Sequence, residues 1–391
     1  MNRLVVNQIV KQCKLHGRTY MDPEDGILYF NWTCGGLEAK FSGTCLVAEF
    51  CALPDSRIGH ITDNRSESIE KVAGSIEEKA VQDWPWIAVI VDGAEEPYQK
   101  ILLDQPEKKV ILFSDENAGC HRIRIVKLNE NYRTAVGIRA LLMDGVLQEC
   151  GKEYEERKKI EFIGDSITCG FGNMAVDGTR EFYTAEENGW LTHGAIAARM
   201  LNMDAAFISV SGITVTRYNN MPAPYVMEEL YPYKDRIMQD KLGRSEHYEL
   251  WDFERNPSDY IVLNLGTNDS TVVMLSGDPA VEEAVFEENY IRFIRTVREL
   301  NGPRPWLICA LGCIDYYLYD TIQRAVEKIR HKTGDQRIFC MKYTKMLTMG
   351  PDVGAGFHPS AYRQEKMAEE LVNFIRKLEE KEHYNYERER K

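Results

Sequence analysis

Among the residues whose types suit chemistry, a serine at the end of an apolar run comes first. Ser166 lies in the segment GDSITCGFGN, where the apolar run IEFIG ends and a helix is expected to begin. A serine at such a turn exposes its hydroxyl above the sheet, and neighbouring glycines let a substrate approach the backbone. Ser166 is therefore a candidate nucleophile, and Asp165 is interpreted as a carboxylate that organises the turn. A role for Ser166 as a simple helix cap is also open.

Three further positions follow other apolar segments of the chain. Gly212 ends AAFISVSG, Asn268 follows YIVLNLG, and His358 lies in GAGFHPS before the last helix. Each alone is typical of an ordinary turn or a surface residue. In doubly wound sheets, however, ligands bind just beyond the carboxyl ends of the strands. The four segments together are therefore expected to bring a hydroxyl, an imidazole and amide donors to one sheet edge.

The apolar runs that carry these residues predict a parallel sheet. They are short and continuous, as in strands buried on both faces, and helical patterns such as FEENYIRFIRTVREL separate them. This alternation predicts a three-layer α/β fold. The last helix, from about Ser360, is expected to pack on the sheet, and the charged tail EEKEHYNYERERK is expected to fray into solvent. The five predicted strands are IEFIG, AAFISVSG, YIVLNLG, PWLICALG and RIFCMKY.

The first part of the chain follows a different pattern, with short β-rich runs between turn signals. Period-two alternation in HRIRIVKL is typical of antiparallel strands with one solvent-exposed face, so a β-sandwich of jelly-roll type is predicted. The charged stretch 151–159, GKEYEERKK, marks the change of pattern and predicts domains at 1–150 and 151–391. The predicted runs are GILYFNW, EAKFSGTCLVAEFCAL, WIAVIVDG, KKVILF, HRIRIVKL and AVGIRALLMDG.

These motifs resemble the SGNH, or GDSL-type, hydrolases over most of residues 155–375. The matching motifs are GDSI around Ser166, VSGI around Gly212, GTND around Asn268 and FHPS around His358. IEFIGDSITCGFGN, YTAEENGWLTHGAIAARML and WDFERNPSDYIVLNLGTND look similar to carbohydrate esterase family 2, the two-domain acetyl esterases. The resemblance implies a flavodoxin-like three-layer SGNH hydrolase domain preceded by an all-β jelly-roll sandwich domain.

The resemblance also implies a role for each of these residues. Ser166 is expected to attack an ester while His358 takes its proton as the base. The resulting oxyanion is expected to lie against the backbone amides of Ser166 and Gly212 and the side chain of Asn268. This chemistry uses no cofactor and no metal.

One position departs from the pattern of most SGNH hydrolases, which carry an aspartate three residues before the histidine. This sequence has Ala355 there. Losing the acid of a triad can cost about 10⁴-fold in rate, so another acceptor is expected to orient His358. Asp352 is one candidate. The preferred one is a backbone carbonyl between Gly354 and Gly356, as in family members with a Ser-His dyad, because two glycines let the loop curl.

Two aromatic residues are candidates for substrate binding. Related esterases carry aromatic residues that can stack on a sugar ring at the places of Tyr218 and Phe357. An ordinary packing role is equally open for both.

Composition and charge exclude several other classes of protein. A net charge of −13 disfavours nucleic acid and anionic membranes as partners, and no apolar run reaches the length of a membrane span. The opening MNRLVVNQIVKQC does not fit a signal peptide, so a cytoplasmic location is expected. The ten cysteines form no CxxC pair and are interpreted as reduced, mostly buried thiols.

The leading hypothesis is removal of O-acetyl groups from acetylated oligosaccharides of the xylan or mannan type. A thioesterase or lysophospholipase acting on longer acyl chains is a second hypothesis, although such enzymes usually have a single domain. A non-catalytic carbohydrate-binding protein is a third. Activity on short and long acyl esters distinguishes the three.

Overall fold

The computed structural model describes residues 1–60, 78–148, 157–175, 183–219 and 223–389. Within these ranges, the N-terminal part is built around an antiparallel sheet of ten strands, beside a separate two-stranded ribbon, Asp55–His60 with Glu78–Asp83. Its elements are β1 (Asn2–Val5), α1 (Val6–Gln12), β2 (Lys14–His16), β3 (Tyr20–Asp22), β4 (Ile27–Tyr29), β5 (Gly36–Leu53), β6 (Asp55–His60), β7 (Glu78–Asp83), β8 (Trp86–Val91), β9 (Gln99–Leu102), β10 (Glu107–Lys127), β11 (Ala135–Met143) and β12 (Val146–Gln148).

Strand β10 joins two runs that the sequence presents separately, KKVILF and HRIRIVKL, into one strand of 21 residues. It pairs with β5, with register shifts between Ile111 and Phe113 and between Ser114 and Gly119. Such irregularities bend a strand, so a continuous strand can curve with its sheet. The predicted β-rich N-terminal part is confirmed as antiparallel, while the jelly-roll topology stays a prediction.

The C-terminal part contains a parallel sheet of five strands in the spatial order β14-β13-β15-β16-β17. This is the flavodoxin-like order, in which the chain starts inside the sheet and winds outward to both edges. Every residue of β15 and β16 is buried, which explains why those runs are continuously apolar. The five predicted apolar runs correspond to β13 (Lys159–Gly164), β14 (Asp204–Ser209), β15 (Tyr260–Asn264), β16 (Trp306–Leu311) and β17 (Ile338–Lys342).

Helices cover both faces of this sheet, which confirms the predicted three-layer α/β arrangement. One face packs against α3 (His193–Met200) and α9 (Ala361–Glu389). The other face packs against α7 (Pro279–Asn301) and α8 (Tyr319–Thr333). The shorter helices are α2 (Ser166–Cys169), α4 (Met227–Leu230), α5 (Arg236–Lys241) and α6 (Thr267–Leu275).

Helix α9 begins as the sequence predicts but ends later. The Ser360 hydroxyl oxygen accepts a hydrogen bond from the Arg363 amide at 3.3 Å, as a helix cap does. The expectation that the charged tail frays is wrong, because the helix continues to Glu389. Glutamate, lysine and arginine favour helices, and Glu379 also pairs with Lys158 at 2.6 Å, which ties the tail to the start of β13.

The predicted domain boundary falls outside the described residues, which leave out 149–156. The antiparallel sheet ends at β12 before this gap, and the parallel sheet begins at β13 after it. The division into 1–150 and 151–391 therefore stays a prediction.

Residues of the N-terminal part enter the core of the C-terminal part. Trp32 is fully buried in the cluster that includes residues of α7 and α8, and its indole N–H donates to the Lys234 carbonyl at 2.8 Å. Arg18 is also fully buried and pairs with Glu161 of β13 at 3.0 Å. The contact between the two parts is thus both apolar and ionic, and neither part buries these side chains alone.

Two further observations concern membrane-spanning helices and the state of the cysteines. No helix in the described ranges is long and apolar enough to cross a membrane. The nine cysteines in those ranges are free thiols, and six of them are buried.

Trp32 provides a test of this shared core. Trp32→Ala removes a fully buried indole, so we expect the free energy of unfolding to fall by about 3–5 kcal/mol. Trp32→Phe keeps most of the packing and loses the hydrogen bond to Lys234, so we expect a loss of about 1–2 kcal/mol. Urea unfolding followed by circular dichroism measures both values. Equal losses in the two variants would contradict the assignment of Trp32 to the core.

Candidate active site

Ser166 lies directly beyond the carboxyl end of the central strand β13, as the first residue of α2. Asp165 is the N-cap of that helix, since its carboxylate accepts a hydrogen bond from the Ile167 amide at 3.0 Å. The Ser166 hydroxyl is therefore left for another partner. Asp165 is buried, and burial raises the pKa of its carboxyl to about 7. This contact fits the interpretation of Asp165 as the residue that organises the turn.

His358 supplies the partner of the serine hydroxyl. Its Nε2 lies 2.8 Å from the Ser166 Oγ, and its Nδ1 lies 3.0 Å from the Gly356 carbonyl oxygen. Because a carbonyl oxygen only accepts hydrogen bonds, Nδ1 must carry the ring proton. The lone pair of Nε2 then faces the serine hydroxyl, which is the arrangement that a general base requires.

The geometry separates the two groups considered for orienting His358. The Gly356 carbonyl, next to Ala355, makes the hydrogen bond to the ring. The Asp352 carboxylate instead accepts from the Leu347 amide at 2.8 Å, and within the described ranges it makes no hydrogen bond to His358. The contacts favour the backbone carbonyl, whose orienting role stays a prediction.

The loops that carry Ser166 and His358 touch through Gly172. Its backbone has a φ of +56°, and a Cβ built there would lie 2.4 Å from the Ala355 Cβ. The Gly172 carbonyl also accepts a hydrogen bond from the Ala355 amide at 3.0 Å. Glycine is needed at this position, because any side chain would push the two loops apart.

Donor groups for an oxyanion follow three adjacent strands of the sheet. Ser166 follows β13, Gly212 follows β14 in a turn with a φ of +78°, and Asn268 lies in α6 after β15. Among the described residues, no hydrogen-bond acceptor is found for the Ser166 and Gly212 N–H groups. The Asn268 side-chain nitrogen donates to the Ile213 carbonyl at 2.9 Å. That bond uses one of its two hydrogens and leaves the other for a ligand.

Asp269 fixes the loop that follows Gly212, a role that the sequence analysis missed. Its buried carboxylate accepts hydrogen bonds from the Val215 amide at 3.1 Å and the Thr216 amide at 3.0 Å. Burial raises the pKa of this carboxyl to about 6. Asp269 is the last residue of the GTND motif, so the sequence contains it beside Asn268. Its role depends on the Val215 and Thr216 amides, which lie more than 50 residues away in the sequence.

The aromatic residues differ in position. Phe357 is 55% exposed beside His358 and has a φ of +56°, which is unusual for a bulky residue. Tyr218 is half-buried and packs against the core of the C-terminal part. Phe171, which the sequence analysis did not single out, has its ring centroid 4.4 Å from that of His358. Phe171 therefore supports one face of the imidazole.

The arrangement combines a hydroxyl, an imidazole in the basic tautomer and free N–H donors. Such a set performs nucleophilic acyl transfer. In the parts of the chain that the structure describes, no group of three or more His, Cys, Asp or Glu side chains is placed to hold a metal ion.

A serine hydrolase of the SGNH type has this combination of fold and site. The model of the GDSL-like lipase/acylhydrolase family matches residues 160–371, more than half of the sequence. The chain belongs to this family, and its C-terminal part has the SGNH hydrolase fold. The resemblance on which the sequence analysis relied is therefore confirmed.

Two similar proteins have the word esterase in their names. The cellulase/esterase CelE of Acetivibrio thermocellus is 29% identical over 300 residues, which is 74% of this chain and 34% of that protein. An acetylxylan esterase / glucomannan deacetylase of Cellvibrio japonicus is 26% identical over 297 residues, 75% of this chain and 76% of that protein. The chain thus spans about a third of the length of the first relative.

A solved structure extends the similarity to both parts of the chain. A family two carbohydrate esterase from Clostridium thermocellum, in complex with cellohexaose, has a TM-score of 0.74 and 24% identity. The superposition covers 93% of this chain and 98% of that one. At this identity the comparison shows a shared fold, including the antiparallel N-terminal part.

The tautomer of His358 can be measured directly. We expect its proton on Nδ1 and a titration midpoint below pH 6.5, because burial lowers the pKa of the ring. Burial disfavours the charged form of the ring. Long-range ¹H–¹⁵N spectra of protein labelled at histidine report both properties, and His358→Gln identifies the signals. A proton on Nε2, or a midpoint above 6.5, would contradict the geometry described here.

Proposed function

We propose that this chain is a serine esterase that removes O-acetyl groups from hemicellulose-derived oligosaccharides of the xylan or mannan type. The proposal depends on the 2.8 Å contact between the Ser166 Oγ and the His358 Nε2, with Gly356 holding the other ring nitrogen. The names of the relatives, acetylxylan esterase and glucomannan deacetylase, support the substrate class.

In the first half of the proposed reaction, the acetyl group moves to the enzyme. His358 Nε2 takes the proton of Ser166 as the Oγ attacks the ester carbonyl, which typically contributes about 10²–10⁴-fold to the rate. The oxyanion of the tetrahedral intermediate accepts hydrogen bonds from the Ser166 and Gly212 amides and the Asn268 side chain. When the intermediate collapses, the bond between the acetyl carbonyl carbon and the sugar oxygen breaks. His358 gives the proton to this departing oxygen, which leaves as the sugar hydroxyl.

In the second half, water releases the acetyl group. His358 takes a proton from the water as its oxygen attacks the acetyl carbonyl, and the same three donors stabilise the new oxyanion. Collapse breaks the bond to the Ser166 Oγ and returns the proton to it. The products are acetate and the free sugar hydroxyl, so no external oxidant or reductant is involved.

Phe357 is the proposed platform for a sugar ring. It is exposed next to His358, and a φ of +56° is strained for a phenylalanine by about 1–3 kcal/mol. Such strain is typical of functional sites, and an exposed aromatic face stacks on the apolar face of a sugar. Tyr218 is a weaker candidate because it packs against the core.

The proposal also includes the topology of the N-terminal part and the location of the protein in the cell. A jelly-roll topology for the N-terminal part agrees with its antiparallel sheet. A cytoplasmic location is supported by the six buried free thiols of the described ranges, which suit a reducing compartment.

The acyl-chain preference tests the proposal against its alternatives. We expect turnover of p-nitrophenyl acetate and little of the octanoate, and we expect mass spectrometry to show loss of acetyl groups from acetylated xylo- or manno-oligosaccharides. Ser166→Ala should reduce kcat by about 10⁴-fold or more, because the nucleophile is gone.

The matched control for this variant is Ser114→Ala, which changes an exposed serine of β10 and should keep the wild-type rate. Preference for octanoate would favour a thioesterase or lysophospholipase. Absence of turnover on every ester would favour a binding protein. Full deacetylation by Ser166→Ala would rule out the proposed nucleophile.

Asn268 tests the oxyanion donors. We expect Asn268→Ala to lower kcat for p-nitrophenyl acetate by about 10²–10³-fold with little change in KM, because the donor acts mainly on the transition state. Asn117→Ala, at an exposed position of β10, is the matched control. A loss confined to KM would show that the side chain binds the substrate in its ground state instead.

A further inference from the structure

A carboxylate from the N-terminal part of the chain lies buried behind the candidate active site. Glu130, which follows β10, has a fully buried side chain. One of its oxygens, Oε2, accepts a hydrogen bond from the Ser211 amide at 2.7 Å. The same oxygen lies 3.7 Å from the Cys169 thiol, at the end of α2. Glu130 thus contacts the segments that carry Gly212 and Ser166 at once.

The other oxygen of Glu130 connects to the histidine side of the site. Glu130 Oε1 accepts a hydrogen bond from the Arg133 guanidinium at 3.1 Å. That guanidinium lies over the Phe171 ring, 5.5 Å from its centroid, and Phe171 packs on the His358 ring. One short segment therefore supports both the amide loop and the imidazole.

The segment itself is firmly anchored. The buried Lys127 ammonium donates hydrogen bonds to the carbonyls of Asn129 and Glu130, each at 2.8 Å. The Asn129 side chain, also buried, donates to the Thr184 carbonyl at 2.8 Å. Because the backbone on both sides of the Glu130 carboxylate is held, the carboxylate provides a fixed acceptor and not a mobile one.

We propose that Glu130 is a positioning residue that aims the Gly212 amide at the oxyanion. The inference rests on the proposed esterase function. The Ser211 N–H belongs to the planar peptide unit directly before the one that carries the Gly212 N–H, so holding it leaves only the φ and ψ of Ser211 free to turn the Gly212 amide. Hydrogen bonds to a charged acceptor are shorter and stronger than neutral ones, which suits this restraint. Gly212 itself has a φ of +78° and no side chain to hold it in place.

Glu130→Gln tests the charge while keeping the shape of the side chain. We expect kcat for p-nitrophenyl acetate to fall by about 10-fold with KM within about 2-fold, because the amide is a weaker acceptor for the Ser211 N–H. Glu130→Asp keeps the charge and withdraws it by one methylene from Ser211, so kcat should fall in this variant as well. If both variants kept kcat within about 2-fold of the wild type, the proposal would be overturned.

The matched control is Asp235→Asn, which changes another buried carboxylate at the contact between the two parts. Asp235 accepts hydrogen bonds from the side chains of Asn31 and Asn131, and within the described ranges no hydrogen bond joins its side chain to the active-site loops. We expect this variant to lower the melting temperature while kcat per folded molecule stays unchanged. An equal loss of kcat in Asp235→Asn and Glu130→Gln would show a general effect of the interface and would also overturn the proposal.

A measurement without an acetate ester separates this inference from the proposed function. A fluorophosphonate probe modifies an activated serine, and its phosphonyl oxygen uses the same oxyanion donors. Mass spectrometry of Ser166 gives the rate of this reaction. We expect Glu130→Gln to slow it by about the factor seen in kcat, and Asp235→Asn to leave it unchanged. If no acetate ester were turned over, the esterase proposal would fail, while the labelling rates would still decide the role of Glu130.

Discussion

The hydrogen bond between the His358 imidazole and a main-chain carbonyl is the interaction on which the rest of the proposed site depends. A carbonyl cannot rotate as a side chain does, so its direction is set by the backbone around it. Here the Gly356 carbonyl points at His358 Nδ1 because Gly356 and Phe357 both adopt a φ of +56°. A glycine adopts such an angle freely, whereas a phenylalanine is strained by it. The tight contact of Gly172 with Ala355 then fixes that turn against the serine loop.

A neutral carbonyl differs from a carboxylate in what it gives the reaction. It selects the tautomer of the ring but adds no full negative charge when the imidazolium forms. The charge of Glu130 acts to raise the pKa of His358 against the larger lowering effect of burial. The N-terminal part of the chain therefore contributes to the electrostatics of the site as well as to its geometry.

How far the sequence predicts this site depends on where each residue lies relative to the strands. Ser166, Gly212 and Asn268 directly follow strands that are neighbours in the sheet, so the rule for strand ends suffices to group them. Glu130 lies between two strands of the other sheet, in the run KLNENYR, where polar residues are typical of a turn. No periodicity marks it, because its partner Ser211 is 81 residues away and the contact exists only once both sheets are packed. The sequence also does not reveal that KKVILF and HRIRIVKL form the single strand β10. Both runs pair with β5, on either side of the irregularity between Ser114 and Gly119, and this shared partner exists only in the folded sheet.

The same contacts bear on what kind of unit the N-terminal part is. A detachable binding module presents a polar, self-contained surface to its neighbour. Here Trp32 is buried in the core of the other part, Arg18 pairs with Glu161 of β13, and Glu130 contacts the loops of Ser166 and Gly212. Removing the first part would leave a cavity at Trp32, a Glu161 carboxylate without its ion pair and a Ser211 amide without its acceptor. The antiparallel sheet is thus best understood as a structural component of the catalytic unit, and its contacts near the active site limit which loops can move when a substrate binds.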